Sequence, residues 1–230
     1  MPFINLFKGF INNQKGFEGG SLMQYTIVNI VASANLNTTI DLYNLAITIP
    51  NIEYEPEQFP GAILKLKEPK VSMLLFKNGK VICSGASSEI QIPQAIHKAS
   101  KMIHEIQKNV KVQKNADYTV VNLVTTANLH MTLDLFKTAM ESDNVEYEPE
   151  QFPGAILRIH DPKLTLLLFK NGKLICAGAK NEELLKKGLR KASKMIREIN
   201  APAKPKKAAA TKSPQGKKEA KKPAKKAKKK

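Results

Sequence analysis

The chain has 230 residues, 42% of them hydrophobic, enough for one or two domains with an ordinary core. No run of about 18 apolar residues occurs, so the sequence predicts no membrane-spanning helix. The net charge is +17, and +12 of it sits in residues 201–230, which hold thirteen lysines and one acid, Glu219; the balance points to a polyanion, nucleic acid first.

Residues 1–22 carry Phe3, Ile4, Phe7, Phe10 and Ile11 at spacings that line one face of a short helix. They lack the basic start and cleavage pattern of a signal peptide. A weak partner-binding helix and a true start at Met23 both stay open, and residues 1–23 are expected to form a flexible extension. Residues 25–34, YTIVNIVASA, are β-branched and alternating, which predicts a strand. Thr38 and Thr39 are candidate N-caps for a short helix over IDLYNLAI. A Pro/Gly-flanked turn then carries Phe59. Strands are predicted over 62–67, 71–77 and 80–86, the first two separated by Glu68-Pro69-Lys70. Asn78-Gly79 predicts a type I′ hairpin between the last two. Over 88–107, Ile92, Ala95, Ile96, Ala99, Met102, Ile103 and Ile106 recur at helical spacing and predict a long helix.

Residues 118–199 then repeat 25–106 at a constant offset of 93 with no gap, and roughly 47 of the 82 pairs are identical, far beyond chance. EYEPEQFPGAIL stands at 53–64 and 146–157, FKNGK at 76–80 and 169–173, and KASKMI at 98–103 and 191–196. The halves, 24–109 and 110–200, therefore share a fold, and the linker QKNVKVQKNAD between them is short and polar. Two such units predict one joint sheet whose helices cover a single face.

The other face decides the function. Alternation puts Ile27, Asn29, Val31 and Ser33 on one side of the first strand and Val28, Ile30 and Ala32 on the other. Ser72, Leu74 and Phe76 oppose Met73 and Leu75, while Ile82 and Ser84 oppose Val81 and Cys83. Neither face is polar, and charges sit at strand ends, at Lys65, Lys67, Lys77 and Lys80. The second half repeats this with Asn122, Val124, Leu167, Phe169, Arg158 and Lys173. A broad apolar face with a cationic rim reads as a binding surface. The plainer readings are that residues 1–22 or a second chain cover it, and that Phe59 and Phe152 merely plug the sheet ends.

Catalytic signals are missing from the sequence. Cys83 and Cys176 each lie in an apolar stretch and read as buried, reduced thiols. His97 and His104 share a helix face, read as solvated, with no Cys or carboxylate set at metal-ligand spacing; His130 and His160 stand apart. Neither a Walker sequence nor a nucleophile elbow occurs.

The motifs VNIV and VNLV, YEPEQFPG twice, EPK…LLFKNGK and DPK…LLLFKNGK, and SGA and AGA before the long helices resemble those of the TATA-binding protein family across 24–200. The near-equality of the halves, with FPG in both, resembles archaeal members. The resemblance implies an α+β saddle of two pseudo-symmetric repeats, one curved antiparallel sheet of about ten strands with four helices on the convex side. It implies a general transcription initiation factor, not an enzyme and without a cofactor. Such a factor binds and bends A/T-rich TATA-box promoter DNA in the minor groove. It recruits transcription factor B and, indirectly, RNA polymerase.

Residue by residue, Phe59 with Phe76 and Phe152 with Phe169 match the family's intercalating pairs. Asn29 and Asn122 match its central asparagines. Val31, Val124, Leu74, Leu167, Ile82 and Ile175 match apolar base contacts, and Pro153 belongs to the same DNA-binding set. Lys65, Lys80, Arg158 and Lys173 match phosphate contacts. Ser84 and Ala177 stand where many members have Thr, and Ala177 loses the hydroxyl; Ser87 faces Lys180 in the repeat, which makes the phosphate contacts uneven. Glu148 and Glu150 match the residues that contact transcription factor B, although Glu55 and Glu57 are identical to them.

The implied state is a monomer on DNA, with weak dimerisation of the free protein left open. The implied location is the nucleoid of an archaeal cytoplasm, or the nucleus of a eukaryote. The competing reading is a non-promoter nucleic-acid-binding or protein-interaction module of the same fold. Residues 201–230 lack apolar residues for a core and are expected to be disordered, either attaching non-specifically to DNA or solubilising the chain.

Overall fold

The computed structural model describes residues 23–201. The expectations for residues 1–22 and for most of the lysine-rich stretch lie outside them. In the first half the elements are β1 (Tyr25–Asn35), α1 (Leu42–Thr48), β2 (Ile52–Glu53), β3 (Gly61–Leu66), β4 (Val71–Phe76), β5 (Lys80–Ala86) and α2 (Gln91–Ile106). The second half repeats them as β6 (Tyr118–Asn128), α3 (Leu135–Met140), β7 (Val145–Glu146), β8 (Ala155–Ile159), β9 (Leu164–Leu168), β10 (Lys173–Ala179) and α4 (Glu182–Asn200).

All ten strands form one curved antiparallel sheet in the order β2-β3-β4-β5-β1-β6-β10-β9-β8-β7. The order reads the same from either end because the two halves meet at β1 and β6. There Ile30 pairs with Leu123, its own counterpart in the repeat, so the pseudo-twofold axis passes through this pair. Asn29 opposite Val124 and Val31 opposite Asn122 are consequently related by the same axis.

The helices cover one face. Ile92, Ala95, Ile96, Ala99 and Ile103 of α2, and Leu185, Leu189, Ala192 and Ile196 of α4, are buried there with Leu64, Met73, Leu75, Leu157, Leu166 and Leu168 of the sheet. The repeats solve one contact differently. Val71 and Ala95 in the first half become Leu164 and Gly188 in the second, and a Cβ on Gly188 would lie 2.0 Å from Leu164 Cδ1. The larger strand residue takes the space that the smaller helix residue leaves.

Four local expectations are corrected. The N-cap of α1 is Asp41, not Thr38 or Thr39: its carboxylate accepts the Asn44 amide, as Asp134 accepts that of Lys137 in α3. The β4–β5 turn is not type I′, because Gly79 alone has positive φ (+82°) while Asn78 does not. Gly79 N–H donates to Phe76 O at 2.9 Å, giving a type I turn closed by a left-handed glycine. The linker is not simply polar, since Val110 is fully buried in the core. Finally, His97 and His104 are half-buried, not solvated. Their Nδ1 atoms lie 2.9 Å from Gln113 O and 2.7 Å from Val110 O, so each ring N–H ties the linker to α2.

Candidate nucleic-acid interface

The face opposite the helices is built from side chains that the core does not claim. Ile63, Leu74 and Ile82 pair across β3, β4 and β5, and Ser33 of β1 continues their row. Ile156, Leu167, Ile175 and Thr126 form the matching row in the second half. Their aliphatic members are half-buried. Ser72 pairs with Ser84, whereas Thr165 pairs with Ala177, so the hydroxyl missing at 177 leaves one on the neighbouring strand.

At the centre the alternation of β1 breaks, which corrects the sequence reading. The register with β6 slips between Ile27 and Asn29 and again between Val31 and Ala32, leaving Val28 and Val121 as the extra residues of two bulges. Ile27 therefore packs on the core beside Ile30 and Ala32, instead of joining Asn29 and Val31. Val121, the repeat of Val28, is 40% exposed and outside the core. Sequence reading missed Val28, Val121, Ile63 and Ile156 as members of the open face. For Ile63 and Ile156 the signal was present: each lies two residues before an outward cation, Lys65 or Arg158.

Asn29 is only 9% exposed, and its Oδ1 accepts Gly85 N–H at 2.7 Å. Asn122 does the same with Gly178 N–H at 2.7 Å. These bonds fix the amide rotation. The acceptor end is used internally, and each Nδ2, with no partner among the described residues, is left to donate outward. Val31 and Val124 stand across the strand pair from them. The middle of the sheet thus offers two donors in an apolar surround.

Each end carries an aromatic pair. Phe59 and Phe76 meet edge to face with centroids 5.8 Å apart, and Phe152 and Phe169 at 5.9 Å. All four are half-buried and outside the core cluster. The turn that holds Phe59 closes on itself, with Gln58 and Phe59 amides donating to Glu55 O; Gln151 and Phe152 do so to Glu148 O. The glycine of FPG is required by the ring: a Cβ on Gly61 would lie 2.7 Å from Phe59 Cε1, and on Gly154 2.8 Å from Phe152 Cε1. Pro60 and Pro153 between them are exposed.

The rim is cationic but partly neutralised. Lys65 pairs with Glu53 at 2.6 Å and Arg158 with Glu146, whose carboxyl is held below its ordinary range by the Arg158 hydrogen bond. Lys80 and Lys173 are exposed and make no ion pair among the described residues. Glu148 and Glu150 are both exposed on the Phe152 turn; Glu148 accepts from Gln151 Nε2, while Glu150 has no side-chain partner among the described residues. Cys83 and Cys176 are buried free thiols, pushed up to about 11 and about 12 by burial, and so are poor nucleophiles. No group of three or more metal-ligating side chains occurs among the described residues, and no described helix is long and apolar enough to cross a membrane.

Comparison with known proteins gives a consistent result. The profile of the family described as transcription factor TFIID, or TATA-binding protein, matches residues 24–106 and again 117–199. The chain is 42% identical over 177 residues to the TATA-box-binding protein of Picrophilus torridus, covering 76% of this chain and 95% of the relative. It is 41% identical over 173 residues to that of Methanocaldococcus jannaschii, covering 75% and 93%. A solved structure described as Methanococcus jannaschii TBP superposes with a TM-score of 0.68 at 40% identity, covering 76% of this chain and 99% of that one.

Proposed function

We propose a function from one premise: the chain belongs to the TATA-binding protein family. Its function is that of a general transcription factor which binds TATA-type promoter DNA. The observation that carries this reading is an open apolar sheet with two outward amide donors at its dyad and an aromatic pair at each end.

That surface suits the minor groove. A·T and T·A pairs present only the acceptors A N3 and T O2 there, whereas G·C adds the guanine amino group. Asn29 and Asn122 donate to such acceptors. Val31, Val124, Leu74, Leu167, Ile82 and Ile175 lie flat against the groove floor, with no acceptor for a guanine amino group and no room for it. Ser84 and Ala177 contact the sheet-facing bases unequally. Pro153 packs beside its wedge.

Wedging and kinking of base steps is the known binding mode of this family, and Phe59, Phe76, Phe152 and Phe169 are its wedges here. Steps such as TA unstack at least cost, so deformability supplies much of the sequence preference. Lys65, Lys80, Arg158 and Lys173 neutralise phosphates, the first and third after exchanging Glu53 and Glu146 for DNA. The working unit comprises the halves 24–109 and 110–200 and acts as a monomer on DNA. Glu148 and Glu150 recruit transcription factor B, and RNA polymerase follows. The working place is the chromosome, the nucleoid of an archaeal cell.

Selection from random-sequence duplexes, followed by footprinting, tests the reading. Recovery of a TA-rich core about one helical turn or less in length supports it. Recovery of no sequence preference, or of a G·C-rich core, refutes it.

A further inference from the structure

Helix α2 is not bare on its outer side. The linker that follows it doubles back along it and then enters β6. Val110 is fully buried there, and His104 donates to Val110 O at 2.7 Å. His97 donates to Gln113 O at 2.9 Å, while Ser100 Oγ accepts Gln113 N–H at 2.9 Å. Residues three and four apart share one side of a helix, so His97, Ser100 and His104 form a docking row for an extended backbone.

The pseudo-twofold axis that carries α2 onto α4 also carries β6 onto β1. The counterpart of the linker is therefore the chain that precedes Tyr25. On α4, Arg190, Ser193 and Arg197 repeat the row of three. Ser193 is half-buried where Ser100 is fully buried, and Arg190 is exposed with no partner among the described residues. Arg197 donates to Leu129 O at 2.8 Å. The chain arrives on this side of the fold: Met23 packs on the core as Ala116 does, and Tyr25 Oη donates at 2.9 Å to Glu182, the first residue of α4. From Glu182 to Ser193 the helix rises about 16 Å, which the five residues from Tyr25 back to Gly20 can span.

The sequence supplies an occupant. The ungapped offset of 93 runs back past Tyr25: Gln14-Lys15 repeats Gln107-Lys108, Phe17 falls on Val110, and Gly20 falls on Gln113. The charges are exchanged together. Helix α4 has two arginines where α2 has two histidines, and the segment has Glu18 where the linker has Lys111. Asn200 accepts Asp134 N–H as Gln107 accepts Asp41 N–H, so it already holds the place of Gln107 and the match in space begins at Phe17.

We propose that residues 17–22 dock along α4 as the linker docks along α2, with Phe17 as the apolar anchor and Gly20 facing Arg190 and Ser193. Occupied in this way, this side of α4 is closed to other proteins. The residues that follow Ala201 fit the row less well, because they set Ala203 in the place of Val110 and Lys204 against the arginines. The docking does not depend on what the open sheet face binds.

The test is disulfide trapping in the full chain, in which Cys83 and Cys176 are buried. Gly20→Cys is combined with Ser193→Cys, or with Lys187→Cys on another side of α4, where Lys187 pairs with Asp161. Thermal unfolding under reducing conditions establishes that each folds. The Gly20→Cys/Ser193→Cys protein is expected to close a bridge within one chain at least about tenfold faster than the Gly20→Cys/Lys187→Cys protein, since only Cα atoms within roughly 7 Å are bridged without backbone movement. Adding Glu18→Lys should slow the first about threefold at low salt and less at high salt. Equal rates for the two pairs overturn the proposal. So does a bridge between two chains, which puts the segment on a second copy, and so does faster closure by Lys206→Cys/Ser193→Cys, which puts the residues after Ala201 on α4. In the unaltered chain, hydrogen exchange at the Gly20 amide should be at least about tenfold slower than in a peptide of residues 14–24. Unprotected amides throughout 17–22 refute the docking, whatever the variants do.

Discussion

Asn29 Oδ1 accepts the amide of Gly85 at 2.7 Å, and the repeat reproduces the bond between Asn122 and Gly178. The geometry separates holding the amide from using it. Asn29→Asp keeps an oxygen for Gly85 but replaces the outward donor by a charged acceptor facing the groove. Unfolding temperature should change little, while affinity for a TA-rich duplex should fall by about 1–3 kcal/mol for the lost donor, and further for the repulsion. Asn29→Ala should lower both, because the Gly85 amide loses its acceptor. Calorimetry and binding titrations on the same preparations check the split.

The aromatic pairs give a second expectation. Phe59→Ala or Phe152→Ala should leave the fold intact, since neither ring belongs to the core cluster. Bending measured by end-to-end energy transfer should drop, with binding weakened by a few kcal/mol, the scale of unstacking one step. Loss of folded protein in both variants would identify the rings as core residues.

Recruitment separates the two ends. Glu150→Lys, alone or with Glu148→Lys, should abolish addition of transcription factor B to the DNA complex while sparing binary DNA binding. The Glu150 change is the cleaner of the two, because Glu148 also accepts from Gln151 within the turn. The same reversals at Glu55 and Glu57 should be tolerated in a mobility-shift assay, and the opposite pattern would reverse the polarity.

The packing exchange beneath α4 can be tested without DNA. Gly188→Ala should destabilise by about 1–3 kcal/mol despite the better helix propensity of alanine, because its Cβ meets Leu164. Leu164→Val should cost about 1 kcal/mol by leaving a gap. The double variant recreates the Val71/Ala95 pair of the first half and should recover most of the loss. Additive losses in urea unfolding would show that the two positions do not share space.

Much of this was legible in the sequence because the repeat doubles each signal. The strands, the long helices and the wedge turns follow from pattern and from the ungapped match. What escaped was set by backbone events that side-chain pattern does not encode. A bulge at Val28 or Val121 inserts a residue without changing composition, so strict alternation misassigned Ile27 and Val28. Three candidate capping residues, Thr38, Thr39 and Asp41, stand within four positions, and only the hydrogen bond to Asn44 selects Asp41. The two-residue strands β2 and β7 are too short to show a period. His97 and His104 looked solvated because the linker that covers them doubles back on the helix it follows, a return that no side-chain pattern announces.

The central claim is that the open sheet reads the minor groove. The most direct measurement compares binding to three duplexes: a TA-rich core, the same core with every A·T pair replaced by I·C, and the same core with G·C. Inosine–cytosine shows A·T-like acceptors in the minor groove and a G·C-like edge in the major groove. The first two should bind within a few-fold of one another, and the G·C core at least about tenfold more weakly. Binding of the I·C core as weakly as the G·C core would contradict it and move recognition to the major groove.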